Sequence, residues 1–415
     1  MQYIADFHIH SKYSRATSKQ ITLENLDKYA KSKGIDLLAT ADFTHPAWFQ
    51  ELETKLVRQD SGFYQLKDAS EKTQFILSTE ISCIYKKNGK CRRIHLVVIC
   101  SDLKKVKKVN QYLEKKGYNI KSDGRPILGL DVKELAKLYL ENDDQAIIIP
   151  AHIWTPWFAL FGSHSGFDSF TECFEEISDQ IPAIETGLSS DPAMNWQVSQ
   201  LNNKMILSNS DAHSLDKLGR EANVFNLSEL SYKNLFNSIK NNKNLDYTLE
   251  FYPEEGKYHC DGHADCKFSC TPEKSKKLKN KCPICGKDLI IGVLNRVNAL
   301  SDQDPQKQKN KRPGFKSLVP LMEILAEVND TGVHTKAIQK EYYHLIEKYQ
   351  SEFNILLKLN SAVLKDDNPM LAIAIEKMRQ GDIVIKPGYD GVFGTVKIFS
   401  ATERAKLQPK QKKLF

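Results

Sequence analysis

The sequence predicts an α/β chain: a (β/α)7 barrel, then a small zinc-binding module, then a mainly helical C-terminal region. Three observations predict it. Seven apolar runs of strand length recur between residues 1 and about 245, each ending in or carrying a histidine or carboxylate. A Cys282-Pro283-Ile284-Cys285 knuckle follows. After about residue 317 the apolar residues adopt three- and four-residue spacing, as Tyr342, Leu345, Ile346, Tyr349 and Phe353 show, which is the period of a helix face.

The first run, Tyr3-Ile4-Ala5, leads into Asp6-Phe7-His8-Ile9-His10. In a strand, residues i and i+2 face the same way, so Asp6, His8 and His10 share one face. A helix is expected over Thr22–Lys33, with Thr22 as N-cap and Gly34 as stop. The second strand, 35–41, ends at Asp42, the third, 75–79, at Glu80, and His95 precedes the fourth, 96–99. A lysine-rich helix is expected near 102–117. The fifth strand, 146–149, ends at His152, the sixth, 182–184, at Glu185, and the seventh, 205–208, at Asp211 and His213. Near-continuous apolar strands separated by helices imply parallel strands buried on both faces, closed or nearly closed as a barrel with its chemistry at the strand C-termini.

The metal-ligand candidates are therefore His8, His10, Asp42, Glu80, His95, His152, Asp211 and His213, with Glu185 a weaker one. Imidazole with carboxylate suits zinc, manganese or a similar divalent ion. Eight or nine donors exceed the needs of one ion, and a bridging Glu80 fits two or three. Ions roughly 3.5–4 Å apart clamp phosphoester oxygens and generate hydroxide at neutral pH. The expected chemistry is hydrolysis of a phosphate ester, with Asp42, Glu80 and Asp211 as the catalytic carboxylates.

The order His-x-His, Asp, Glu, His, His, Asp-x-His resembles the polymerase and histidinol phosphatase (PHP) superfamily, which implies a distorted seven-stranded barrel with two or three metals (Zn, Mn or Mg). Two departures bear on a third ion: Ala41-Asp42-Phe43 replaces Thr-Asp-His, with His45 two residues on, and Arg15-Ala16 stand where many members carry a ligand. As for Asp6, the resemblance implies that it orients an imidazole rather than binds metal.

Five of the nine cysteines fall between 260 and 285. In a chain without a basic, apolar leader they read as metal ligands in a reducing compartment, and a cytoplasmic, nucleoid-associated location is expected. No apolar run approaches the roughly 20 residues of a membrane helix. For a structural zinc the expected ligands are His263, Cys266, Cys282 and Cys285. Cys260 with Cys266, or Cys266 with Cys270, are alternatives. The net charge of +7 and the clustering of its basic residues suggest a polyanionic partner. One cluster, Lys274 to Lys281, includes Lys276, Lys277 and Lys279, which are placed to neutralise phosphates.

A PHP barrel followed by Asp261-Gly262-His263, Cys282-Pro283-Ile284-Cys285-Gly286 and Gly292-Val293-Leu294-Asn295-Arg296-Val297 closely resembles the endonuclease Q family. The likeness extends through 39–46, 150–158, 185–192 and 387–392. It implies nicking of duplex DNA 5′ to deaminated bases (uracil, hypoxanthine, xanthine) and abasic sites. An enzyme that inspects a base extrudes it and stacks it on flat side chains. Trp48, Trp154, Trp157, Phe158 and Phe161 follow metal-bearing strand ends, and Trp154, Trp157 and Phe158 are the candidates to touch the base. The chain ends Gln411-Lys412-Lys413-Leu414-Phe415, which resembles the peptide that docks bacterial DNA-processing proteins on the β sliding clamp through Gln411, Leu414 and Phe415.

The expected units are a PHP catalytic barrel (1–248), a zinc-binding module (249–300), a basic linker (301–316), a mainly helical DNA-binding region (317–400) and a basic tail with the clamp peptide (401–415). The alternative readings are a PHP phosphatase acting on a small phosphate monoester and a non-catalytic DNA-binding module with a decayed metal site.

Overall fold

A computed structural model describes residues 1–68 and 73–407. Strand β1 (Gln2–Asp6) leads to helix α1 (Leu23–Lys33). The Thr22 side chain accepts the Asn25 N–H, and Gly34 ends the helix at φ 87°, a left-handed position that glycine adopts without a Cβ penalty. Then come β2 (Leu37–Ala39), α2 (Pro46–Lys55), β3 (Leu56–Arg58), β4 (Tyr64–Leu66) and the two longest strands, β5 (Gln74–Lys87) and β6 (Lys90–Cys100). They continue as α3 (Leu103–Lys115), β7 (Ile127–Leu128), α4 (Val132–Asn142), β8 (Ile147–Pro150), α5 (Phe170–Phe174), β9 (Ala183–Glu185), α6 (Pro192–Asn195), β10 (Met205–Leu207), β11 (Ala222–Asn226), α7 (Tyr232–Lys240) and β12 (Leu245–Glu250).

The strands are mixed in direction, which corrects the expected parallel barrel. β2 is parallel to β1 and β5, but β6 is antiparallel to both β5 and β8. β11 is antiparallel to β1 and β12. β9 and β10 pair only with each other. Among the described residues no continuous ladder closes the ring. Single contacts span the gaps: Ile153 N–H to the Glu185 carbonyl, and an isolated bridge between Ile9 and Ala212. The reversal at β6 has a local cause. Asn88 and Gly89 sit at φ 52° and 73° between the paired Lys87 and Lys90, a two-residue turn with both central residues left-handed, which suits the twist of a hairpin. Glu80 and His95 therefore lie inside long strands, opposite Val97 and Ser82, rather than at the end of one strand and before another.

One buried cluster still takes residues from nine strands: Ala5, Leu37, Ile76, Val97, Ile149, Ala183, Leu207, Phe225 and Leu245. These strands therefore surround a common core. Hydrophobic burial of this kind is worth about 25 cal/mol per Å² of apolar surface.

The cysteine-rich stretch holds the hairpin β13 (Asp261–His263) and β14 (Phe268–Cys270), then α8 (Pro272–Lys277) and α9 (Val293–Leu300). Residues 301–316, expected as a basic linker, carry α10 (Gln306–Lys309) and the start of β15 (Gly314–Ser317), which pairs in parallel with β12. Asp302 and Gln303 hydrogen-bond Ser199 and Asn202, so this stretch lies along the N-terminal α/β region. Beyond it are α11 (Leu321–Val328), α12 (Lys336–Tyr349), α13 (Pro369–Gln380), the pair β16 (Val384–Lys386) and β17 (Thr395–Lys397), and α14 (Ala401–Leu407). Helix α12 buries Tyr342, Leu345 and Tyr349. The buried Glu352 carboxylate receives the Leu321 N–H at 3.0 Å and the Tyr342 hydroxyl at 2.8 Å, and pairs with Lys33 of α1 at 2.7 Å. That pair ties the helical region to α1 of the N-terminal α/β region. No described helix is long and apolar enough to cross a membrane.

Candidate metal centre

Six of the predicted ligands come together in one place. Donor atoms of His8, His10, Glu80 and Asp211 lie within 4.8 Å of one another, as do those of Glu80, His95 and His152. Glu80 belongs to both groups. Its Oε2 is 3.5 Å from His8 Nε2 and 3.3 Å from His10 Nε2. Its Oε1 is 2.6 Å from His95 Nδ1 and 3.1 Å from His152 Nε2. Asp211 Oδ1 is 2.9 Å from His10 Nε2. Each oxygen of one carboxylate thus serves a different group.

The donor set fits divalent metal on an observation of its own. His8 Nε2 is buried and has no hydrogen-bond partner, yet it faces two carboxylates. Such an atom is costly unless something binds it. The centre is electrostatically tense. Burial works against a charged Glu80, but His95, Arg125 and His8 hold its carboxyl well below the usual range. Burial opposes charge on His8 too, yet Glu185 and Glu80 raise it well above an ordinary imidazole. Burial takes His95 down to about 4.

Glu185, Asp42 and Asp6 play supporting parts. Glu185 Oε1 lies 3.0 Å from His8 Nδ1, and its Oε2 receives the His152 N–H at 2.8 Å. It holds the His8 ring and the His152 backbone at once, and carboxylates behind ligand imidazoles hold the ring in the same way. Asp42 stands outside both donor groups. Its Oδ2 is saturated by the Ser11 N–H, the Ser11 hydroxyl and the Ser14 hydroxyl, at 2.7, 2.6 and 2.7 Å. Its Oδ1 is 3.4 Å from His10 Nδ1, so it orients His10. Asp6 does not orient an imidazole as expected. It accepts the N–H groups of Ser210, Gly219 and His8 and so ties the strand ends together. Burial pushes its carboxyl up to about 6.

His213 and His45 are also outside the groups. His213 Nδ1 is 2.9 Å from the Asp211 carbonyl, and its ring lies 4.3 Å from that of His10. His45 contacts the Lys121 carbonyl at 3.1 Å and stacks on Tyr13. Asp42, His152 and Asp211 all have positive φ, at 40°, 31° and 45°. Non-glycine residues rarely adopt such angles, and they concentrate where side chains are aimed for function.

The structure brings His263, Cys266, Cys282 and Cys285 together, their donor atoms also within 4.8 Å of one another. Cys260 and Cys270 are buried outside that donor group, Cys270 in the same small cluster as Cys282. Of the candidate base-contacting residues, Trp154 is in the core, its indole N–H on Asn195 Oδ1 at 2.8 Å and its ring against Phe161. Trp48 and Phe161 are buried as well. Trp157 is 43% exposed, stacked on His164 at 4.4 Å, and Phe158 lies 4.7 Å from His95. Lys276, Lys277 and Lys279 are in no ion pair among the described residues. Gln411, Leu414 and Phe415 fall outside the described residues.

Sequence reasoning missed Arg125, whose Nη1 donates to Glu80 Oε2 at 3.1 Å. It sits in Ser122-Asp123-Gly124-Arg125-Pro126, a loop with no periodic signal. It also missed Ser11, Ser14 and Asn209; the last donates to Glu185 Oε1 at 2.8 Å.

Residues 320–382 match the family model of the MJ0043 C-terminal domain. The chain is 34% identical over 270 residues to the uncharacterized protein MJ0043 of Methanocaldococcus jannaschii, a match over 62% of this chain and 33% of that longer protein. It is 30% identical to the uncharacterized protein YqxK of Bacillus subtilis, over 95% of this chain and 98% of that one. Two solved structures superpose along nearly the whole length. The lesion-specific endonuclease PfuEndoQ of Pyrococcus furiosus matches at 30% identity and a TM-score of 0.84, covering 98% of this chain and 99% of its own. Endonuclease Q in complex with a 27-mer duplex substrate, with an abasic lesion at its active site, matches at 30% identity and a TM-score of 0.83, covering 99% and 100%. Identity at that level, held over nearly the whole length of both chains, places the chain in the endonuclease Q family.

Proposed function

We propose that this protein is a DNA repair endonuclease that hydrolyses the phosphodiester bond 5′ to deaminated bases (uracil, hypoxanthine, xanthine) and to abasic sites, leaving a 3′-hydroxyl and a 5′-phosphate. The observation that carries the reading is Glu80 shared between two donor groups, in a chain matching endonuclease Q over its length. Two divalent ions held there would polarise phosphoryl oxygens and make water acidic at neutral pH. The chain's own residues do the rest. Glu80 sets the spacing of the two groups, Glu185 and Asp42 fix His8 and His10, and Asp211 completes the first group.

The remaining features fit a nucleic acid. A zinc held by His263, Cys266, Cys282 and Cys285 would stabilise the module that carries Lys276, Lys277 and Lys279 to the phosphates. Trp157 offers an exposed ring beside the loop of His152, and Phe158 lies against His95. These two are proposed to stack on the extruded base. Base stacking on an aromatic ring is worth about 1–3 kcal/mol, so Trp157→Ala should slow nicking of a uracil duplex about tenfold, with metal content unchanged. The C-terminal peptide is proposed to dock on a bacterial sliding clamp. Deleting residues 411–415 should abolish capture by the clamp while leaving nicking of short oligonucleotides at the full-length rate.

The reading is tested by incubating the protein and Mn²⁺ with end-labelled duplexes carrying one uracil, hypoxanthine or abasic site, and separately with p-nitrophenyl phosphate. A single nick immediately 5′ to the lesion is expected. Phosphate release alone, or a mobility shift without cleavage, would overturn it.

A further inference from the structure

We propose that Arg125 is a catalytic residue whose guanidinium binds the scissile phosphate beside the two donor groups. The inference rests on the phosphodiesterase reading above and assigns a residue within that site.

Glu80 alone does not account for Arg125. Among the described residues, Glu80 is the one carboxylate in ion-pair contact with Arg125, at 3.1 Å. Glu80 already has His8, His10, His95 and His152 within 3.5 Å, so it is well supplied with partners. A guanidinium has five N–H donors in a planar fork, and Glu80 takes one of them. The Arg125 side chain is 29% exposed beside a fully buried Glu80, and among the described residues its guanidinium makes no hydrogen bond other than the one to Glu80.

The loop that carries Arg125 is held rigidly. Gly124 N–H bonds the Tyr13 carbonyl at 3.1 Å, Ser82 N–H bonds the Pro126 carbonyl at 3.0 Å, and Asp123 Oδ1 receives the N–H groups of Arg15 and Arg125, both at 3.2 Å. Gly124 passes so close to Asp42 and Ser14 that a Cβ there would collide with Asp42 Oδ2 and Ser14 Oγ. The loop is thus pressed against the residues that orient His10. Arg15 pairs with Asp123 of the same loop at 3.3 Å, a further tie on the loop.

In the hydrolysis, a water oxygen forms a bond to phosphorus, the bond from phosphorus to O3′ breaks, and O3′ leaves with a proton. Charge builds on the non-bridging oxygens as this happens. A fixed planar cation with donors to spare is suited to those oxygens, because two parallel N–H bonds match a phosphate edge and fixed charge needs no reorganisation during the step.

The test compares wild type with Arg125→Ala and Arg125→Lys in three measurements: nicking kinetics on an abasic duplex, inorganic phosphate binding by calorimetry, and bound Mn²⁺. Arg125→Ala should lower kcat about 10²-fold with little change in KM, and should weaken phosphate binding at least about tenfold, at wild-type Mn²⁺ content. Arg125→Lys keeps the charge without the fork and should recover only part of both. The proposal is overturned if Arg125→Ala nicks at the wild-type rate, or if its loss of rate follows a loss of Mn²⁺ that Arg125→Lys fully restores; the residue then only supports Glu80. Wild-type protein that binds phosphate but nicks no lesion duplex refutes the repair reading instead.

Discussion

Glu80→Gln is expected to abolish nicking, by at least about 10³-fold, because it removes the negative charge that both donor groups share. The two oxygens of this carboxylate face different imidazole pairs, His8 with His10 and His95 with His152. Asp211 contributes to only one of the two groups. Substituting it would leave the second group intact, whereas substituting Glu80 injures both. Glutamine keeps the size of the side chain, and β5 pairs with β6 along its whole length through backbone bonds, so the fold should persist. The measurements are metal content and single-turnover rate. Full metal content with a rate near wild type would show that Glu80 does not link the two groups.

The second large effect is expected from Cys282→Ser. The module around it has a very small apolar core: Cys270, Cys282 and Leu289 are its buried members, with Cys266 and Phe268 partly buried against them. A core that small does not stabilise a fold alone, and a structural zinc contributes about 10–16 kcal/mol of apparent binding energy in small peptides. Cys282 is almost completely buried, whereas Cys285 is exposed. Serine at 282 should therefore release one zinc, open residues 257–300 to protease and abolish binding to duplex DNA. The barrel ligands are on separate elements and should retain Mn²⁺. Unchanged zinc content would instead move the ligand set to Cys260 or Cys270.

Much of the centre was legible because strand geometry is simple. His8 and His10 are two residues apart and reach one group, and the apolar runs before Asp211 and His152 are real strands. The Thr22 cap and the Gly34 stop were equally direct, since each rests on local chemistry. Asn88-Gly89 was also legible, as a hairpin signal, but the apolar run 75–79 broke off before it and hid the length of β5. The expectation of parallel strands failed there. Asp42 was assigned by its place in an order of residues. Sequence order does not show that three serine donors take its Oδ2 or that its backbone is left-handed. Glu185 looked like one more ligand because nothing local reveals which atom it will face. Trp154 and Trp157 are three residues apart, one in the core and one in solvent, and only the fold decides between them. Arg125 carried no signal at all, because loops position charge without periodicity.

The two donor groups that share Glu80 would hold two ions, which together would supply the Lewis acid and the hydroxide for the cut. Titrating metal-free protein with Mn²⁺, while recording its electron paramagnetic resonance spectrum and its nicking rate on an abasic duplex, tests that claim most directly. The account predicts a spin-coupled pair of ions, with rate rising only as the second ion binds. A rate that reaches its maximum with a single uncoupled ion would contradict it.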